Sequence, residues 1–260
     1  MTVEAPRPTV DLDYSIHDFI AGEHRDSLYL YDAIERAMVR IASPRAGGRA
    51  LDVACGTGKL CMLIQQRGVR AVGLEASMDM IGLGRWVHAE HAAPMVRGIA
   101  ERLPFADAAF DRVICQGALD HFADPAAFMQ EAARVTAPGG CIAIALANYD
   151  SLACRLGSVI DRTRWRLGAK RPPWRRYWEI PEDHNVKGNL PYVRSLTPAG
   201  TRLERMYGIS LLWNFFGYGA VLDRLPKGIA ARVLRTLDRA ARGRPQHADM
   251  IVAIWRNGER

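Results

Sequence analysis

The sequence lacks the features that mark several large classes of protein. No uninterrupted apolar run approaches the roughly 20 residues that span a bilayer. The opening stretch, MTVEAPRPTVDLDYS, has neither a basic start nor an apolar core, so it does not read as a secretory leader. The cysteines are odd in number, five, and form no C-x-x-C pair. That usage fits a reducing compartment, and the cytoplasm is the expected location. No His/Cys/Asp group has metal-ligand spacing, so no metal is expected. Internal repeats and low-complexity tracts are absent too, which excludes solenoids and arrays.

The remaining composition is that of an ordinary globular protein: 260 residues, 49% hydrophobic and 24% charged, enough to bury a full core. Its net charge of +7 is unevenly placed. Between Ser151 and Ile180 lie Arg155, Arg162, Arg164, Arg166, Lys170, Arg171, Arg175 and Arg176, opposed only by Asp161 and Glu179. An excess of this kind concerns partners and not fold.

The most informative stretch is Arg49–Leu60, RALDVACGTGKL. An apolar strand runs into a Gly-x-Gly turn, and a helix follows directly. Gly56 and Gly58 let the backbone turn tightly and approach a ligand with no Cβ in the way. The third glycine of a dinucleotide fingerprint is missing, because Cys61 stands there. Asp52, at the strand's end, repels a diphosphate and suits the ammonium group of an amino-acid tail. The pattern points to a nucleoside with a cationic amino-acid tail, for which S-adenosylmethionine (SAM) is the candidate.

Around this turn, periodicity predicts alternating elements. A helix stripe runs from about Glu23 to Ile41 on Leu28, Tyr31, Ile34, Met38 and Ile41. Strands are expected at Ala50–Ala54, Ala71–Leu74, Met95–Gly98, Phe110–Cys115 and Cys141–Ala147. Helices are expected at Gly58–Gln66, from a Ser77 cap to about Ala89, and at Pro125–Val135. Such alternation gives a doubly wound parallel sheet, whose ligands bind beyond the carboxyl ends of the strands. The rhythm stops over 148–196, a stretch rich in arginine, proline and aromatics that reads as a functional cover. It resumes with a helix over about Pro198–Met206, a strand near Leu211–Phe216, a helix over Ala220–Ala241 bent near Pro226, and a strand at Ala248–Trp255.

Together these residues resemble the class I SAM-dependent methyltransferases, in particular the group related to the ubiquinone and menaquinone methyltransferases. The resemblance runs from about Arg49 to Leu146. It is carried by LDVACGTG at 51–58, VGLEAS at 72–77, ERLPFADAAFDRVIC at 101–115, LDHFADP at 119–125 and EAARVTAPGG at 131–140. It implies an α/β, Rossmann-like, seven-stranded mixed sheet with helices on both faces and an inserted substrate cover. The implied organisation is an N-terminal helical cap (1–48), a SAM-binding core (49–147), a variable cover (148–196) and the C-terminal part of the domain (197–260). It also implies roles for single residues. Asp52, Ala54, Gly56, Thr57 and Gly58 line the methionine portion of SAM. Glu75 accepts from both ribose hydroxyls, a charge-assisted contact. Ala76 and Met80 pack on the adenine faces, Ala100 and Glu101 lie at the adenine edge, and Gln116 faces the methionine end and the acceptor. Ile99 departs from the pattern, standing where an acidic residue often binds the exocyclic amine.

For the chemistry, His121 is the candidate catalytic base, since its ordinary pKa lies near 6.5. His17, His24, Glu179, Asp183 and His184 are rivals. Methyl transfer is an in-line displacement on an activated sulfonium and depends first on alignment, so it can also proceed without a base. Trp174, Arg175, Tyr177, Trp178 and His184 are the expected acceptor-binding residues. The expected activity is methylation of O or C on a small aromatic or anionic acceptor. Two alternatives stay open. One is a peripheral enzyme at an anionic membrane surface acting on a prenylated or lipid-like acceptor. The other is a SAM-binding protein whose basic face grips nucleic acid. Against the latter, no nucleic-acid-binding module is present, and Gln116-Gly117-Ala118-Leu119 stands where amino-methylating nucleic-acid enzymes carry an Asn/Asp-Pro-Pro-aromatic tetrapeptide.

Overall fold

Seven strands form one sheet in the computed structural model, which describes residues 24–44 and 46–258. They are β1 (Arg49–Val53), β2 (Arg70–Glu75), β3 (Met95–Arg97), β4 (Phe110–Gln116), β5 (Thr136–Ala147), β6 (Thr201–Ile209) and β7 (Met250–Asn257). The helices are α1 (Arg25–Ala42), α2 (Lys59–Gln65), α3 (Met78–His88), α4 (Pro125–Val135), α5 (Leu152–Arg166), α6 (Leu190–Ser195), α7 (Tyr218–Arg224) and α8 (Lys227–Arg242). The sheet order is β3-β2-β1-β4-β5-β7-β6, parallel except for β7, which runs antiparallel to both β5 and β6. This is the seven-stranded mixed sheet expected from the motifs.

The central strands are buried on both faces, which is why they read as apolar runs without alternation. On one face Leu51, Val53, Val113 and Ile144 pack with Phe128, Met129 and Val135 of α4 and with Val193 of α6. On the other, Ala50, Ile114 and Ala143 pack with Leu30, Ile34 and Met38 of α1 and with Leu60 and Ile64 of α2. Local signals set the helix starts. Ser77 Oγ accepts from Met80 N at 3.3 Å, and Asp124 accepts from Ala126 N and Ala127 N at 3.0 Å, with Pro125 in the first turn.

Four expectations past residue 147 are corrected. The cover contains a regular 15-residue helix, α5, capped by Ser151 Oγ. The segment expected as a helix over Pro198–Met206 is instead β6. It is an edge strand, paired only with β7. Its Arg, Leu, Glu and Met are good helix formers, but pairing overrides so weak a preference. Leu211–Phe216 is a turn and not a strand, since Ser210, Leu212 and Asn214 all take left-handed φ of 58 to 68°. The long helix expected over 220–241 is two, α7 and α8, interrupted at Leu225-Pro226. Arg232, Arg235, Arg239 and Arg242 of α8 are exposed, while Ala230 and Leu234 on its other face are buried.

The turn after β6 depends on a buried acid. Asp249 Oδ2 accepts from Trp213 N at 2.9 Å, and Trp213 Nε1 donates to Ser27 Oγ at 3.0 Å. Burial pushes the Asp249 carboxyl up from its ordinary 3.8 to about 7. The unfolded chain gives up this proton near pH 4 and the folded chain near 7. The stability tied to the neutral acid is therefore complete at low pH and is lost as pH rises through that window. Asp249→Asn, neutral throughout, is expected to gain in melting temperature relative to the wild type as pH rises from about 5 to about 8. Parallel melting curves across that range would contradict this account.

Candidate cofactor and acceptor site

The strand order reverses between β1 and β4, and the crevice at a parallel sheet's carboxyl edge opens at such a switch point. The chain leaving β1 turns through left-handed backbone at Ala54 (φ 57°), Gly56 (φ 56°) and Gly58 (φ 75°). The two glycines take this conformation freely, whereas Ala54 takes it under strain. Gly58 N closes the turn on Cys55 O at 2.9 Å.

A single carboxylate locks the turn to its neighbour. Glu75, at the end of β2, is 8% exposed. Its Oε2 accepts from Gly56 N at 2.8 Å, and its Oε1 accepts from Ala76 N at 2.9 Å and Ser77 N at 3.0 Å. Thus the β1–α2 and β2–α3 turns share one acceptor. Met80 lies against Gly56, with its methyl 3.4 Å from where a Cβ would stand. Thr57 Oγ1 sits 3.4 Å from His88 Nε2.

Asp52 is buried, and the hydrogen-bond partner found for it among the described residues is the Cys61 thiol at 3.8 Å. Burial, with a smaller contribution from Glu75, drives its carboxyl up to about 8. Gln116, at the end of β4, carries a buried Oε1 with no hydrogen-bond partner among the described residues. An orphaned carbonyl and an uncompensated buried acid beside the glycine turn form a set of acceptors that fits SAM, whose ammonium and ribose hydroxyls donate.

Two residues expected at the adenine edge have structural partners. Ala100 is in the core beside Leu103 and Phe110. Glu101 Oε1 accepts from Ala123 N at 2.9 Å and Asp124 N at 3.3 Å, so this carboxylate ties down the loop before α4.

Past β4, the short turn Leu119–His121 meets the segment 181–187. Asn185 joins them: its N donates to Asp120 O at 2.7 Å, and its Nδ2 donates to His121 O at 3.1 Å and Phe122 O at 3.0 Å. This places His184 Nδ1 3.0 Å from Asp120 Oδ2 and 3.1 Å from the Tyr149 hydroxyl. The His121 and His184 rings meet edge-on at 4.5 Å, and Asp183 Oδ2 lies 3.6 Å from His121 Nδ1. Burial raises the Asp120 carboxyl and lowers the His184 imidazole, so these partners resist becoming a fully charged pair. The cluster corrects the expectation that no metal-ligand set exists: Asp120, His121 and His184 each bring a ligand atom within 4.8 Å of the others. Sequence spacing hid it, because His184 arrives from another loop. Tyr149 and Asn185 were missed for the same reason.

The other candidates on the cover are held locally. Tyr177 OH donates to Ala153 O at 3.0 Å, and Trp178 Nε1 donates to the buried Asp161 at 3.0 Å. Arg176 pairs with the same Asp161 at 2.6 Å. Arg175 donates to Glu179 O at 2.6 Å, and Trp174 is 66% exposed. Glu179 accepts from Arg171, and His24 pairs with Asp223 of α7, so neither joins the cluster. His17 lies outside the described residues.

Comparison with known proteins agrees with this geometry. Residues 51–144 match the family model described as a methyltransferase domain. This part of the chain is similar to a methyltransferase domain. The chain is 33% identical over 150 residues to the demethylmenaquinone methyltransferase of Beutenbergia cavernae, covering 53% of this chain and 61% of that protein. It is 31% identical over 124 residues to the ubiquinone biosynthesis O-methyltransferase of Paracidovorax citrulli, covering 45% and 51% respectively. The matches thus span about half to three fifths of these relatives' lengths. Among solved structures, an S-adenosylmethionine-dependent methyltransferase from Mesorhizobium loti superposes with a TM-score of 0.56 at 18% identity, over 88% of this chain and 98% of that one. The [4+2]-cyclase SpnF superposes at 0.59 with 17% identity, over 87% and 80%. A cyclase on the same fold means that the fold does not by itself fix the reaction; the site must.

The Glu75 lock is testable. Glu75→Gln replaces one acceptor oxygen with a donor and cannot serve all three amides. It is expected to cost about 1–3 kcal/mol in urea unfolding and to weaken SAM binding at least tenfold. Unchanged stability would show that these bonds do not hold the turn.

Proposed function

We propose that the chain transfers the methyl group of SAM to an oxygen or carbon of a small organic acceptor, aromatic or anionic. The observation that carries this reading is the Gly56–Gly58 turn bound to the Glu75 carboxylate at the switch point, with Asp52 and Gln116 beside it. SAM, when bound, supplies a methyl on a positively charged sulfur. The chain's part is to hold and orient. Glu75 has a carboxylate at the place where ribose hydroxyls need an acceptor. Asp52 offers its buried charge to the ammonium, and Gln116 offers an unpaired carbonyl toward the space shared with the acceptor. His121 and His184 border that space as proton acceptors for a hydroxyl. Transfer of labelled methyl from SAM to a panel of phenols, quinols and aromatic acids tests the acceptor class. Labelled product from at least one of them is expected; none from any would contradict it.

The Asp52 assignment has a pH signature. A carboxyl titrating near 8 is protonated at neutral pH and must lose that proton to pair with an ammonium. SAM affinity is therefore expected to rise with pH between about 6 and 8, by up to about tenfold per unit. In Asp52→Asn the dependence flattens and binding weakens. Equilibrium dialysis with labelled SAM reads both; a flat wild-type profile would remove Asp52 from the ammonium site.

A second reading concerns where the acceptor is found. Leu156, Val159, Ile160 and Leu167 share one exposed face of α5 and its C-cap, flanked by Arg155, Arg164 and Arg166, with the exposed Trp174 on the loop that follows. Apolar residues rimmed by basic ones fit an anionic bilayer surface, where each nearby cation contributes about 1 kcal/mol. A lipid-like acceptor would then be met at the membrane, in keeping with the demethylmenaquinone in the name of one relative. Wild-type protein is expected to float with anionic vesicles and Val159→Glu/Leu167→Glu to remain behind; equal flotation of both would set this reading aside.

A further inference from the structure

We propose that Asp120, His121 and His184 form a binding site for a divalent transition-metal ion at the acceptor side of the domain. Two imidazoles and one carboxylate are a donor set suited to zinc, cobalt or ferrous iron. Three independent observations support the site. The ligand atoms already lie within 4.8 Å of one another, and Asp120 Oδ2 and His184 Nδ1 are 3.0 Å apart. Donors about 2.0–2.2 Å from a tetrahedral ion are separated by about 3.4 Å, so side-chain adjustments of about an ångström complete the shell. Asp120 is 3% exposed, and its Oδ1 is buried without a hydrogen-bond partner among the described residues. An anionic oxygen held this way is costly unless a cation compensates it. Finally, the loops carrying the ligands are joined by Asn185, through its backbone and its side-chain amide, without use of the ligand side chains. Asn185 binds the main-chain oxygens of Asp120, His121 and Phe122, so the ligands are brought together before any ion arrives. The Tyr149 hydroxyl, 3.1 Å from His184 Nδ1, and Asp183 Oδ2, 3.6 Å from His121 Nδ1, border the same space.

The role follows from the position and rests on the methyltransferase reading. Asp120 follows β4 by four residues from Gln116, on the acceptor side of the crevice. A cation there binds an acceptor hydroxyl and lowers its pKa. With the ion bound, His121 and His184 are ligands and no longer proton acceptors, so the hydroxyl proton passes to the buffer and the oxygen forms its bond to the methyl carbon. The sulfur keeps the electron pair of the broken sulfur–carbon bond. The substrate class this favours is a phenol or enol with a neighbouring oxygen that can share the ion.

The test uses untagged full-length protein, stripped with chelator and titrated with Co2+ by visible absorption and with Zn2+ by calorimetry, without donor or acceptor. One equivalent is expected to bind at micromolar concentration or tighter. His184→Ala and His121→Ala are each expected to weaken it at least tenfold, His184→Cys to restore it, and His88→Ala, away from the cluster, to leave it unchanged. Each variant is checked for cooperative unfolding; should His184→Ala fail it, the comparison rests on His121→Ala and His184→Cys. No saturable binding by the wild type, or equal binding by the wild type and the alanine variants, overturns the site. SAM binding measured on the same samples separates the two ideas. SAM without metal removes only the metal site, and metal without SAM removes the methyltransferase reading while leaving the ion site standing.

Discussion

Three backbone amides converging on the Glu75 carboxylate are the interaction on which the site depends. Parallel strands can place their carboxyl ends side by side, but they do not make the turns beyond those ends cohere. Here Gly56 N, from the first turn, and Ala76 N and Ser77 N, from the second, share one buried acceptor. Charge-assisted bonds of this kind are among the stronger ones available to a protein. They fix the glycine turn relative to α3, whose Met80 then covers Gly56. The same carboxylate thus serves structure first, and in our proposal it also receives the ribose hydroxyls.

The acceptor side is built differently. It is assembled by distant loops that meet through polar side chains. Asn185 joins the 181–187 segment to the turn after β4, while the buried Asp161 collects Arg176 and Trp178 against α5. Arg162 over Trp178 and Arg171 over Trp165 extend this knitting through cation–π contacts. Much of the arginine and tryptophan that reads as a ligand-gripping surface therefore holds the cover itself together. Trp174 and the outer face of α5 are among the described residues that stay exposed.

The legibility of the sequence follows the range of the interactions. Elements governed by local signals were readable: the glycine turn, the Ser77 cap, Pro125 at the start of α4, and the apolar runs of β1, β4 and β5. So were the carboxylate ending β2 and the order of the motifs, which together yield the sheet. Elements decided by distant partners were not. β6 is an edge strand only because β7 pairs with it, and the left-handed turn at 210–214 exists because Asp249 and Asp26 receive its amides. Asp120 and His121 stood out as neighbours after a strand, but nothing local to them announces His184 or Tyr149. Glu101, whose motif position suggested a ligand contact, also has a structural task that its sequence neighbours do not announce: Oε1 accepts from the amides of Ala123 and Asp124.

The most direct test of the central claim is a crystal structure of the protein with S-adenosylhomocysteine, the demethylated product. The account predicts the ribose hydroxyls on the Glu75 carboxylate, the adenine beside Met80, and the amino-acid tail along the Ala54–Gly58 turn toward Asp52 and Gln116. A nucleoside bound elsewhere, or one in this crevice that leaves Glu75 and Asp52 without contact, would contradict it.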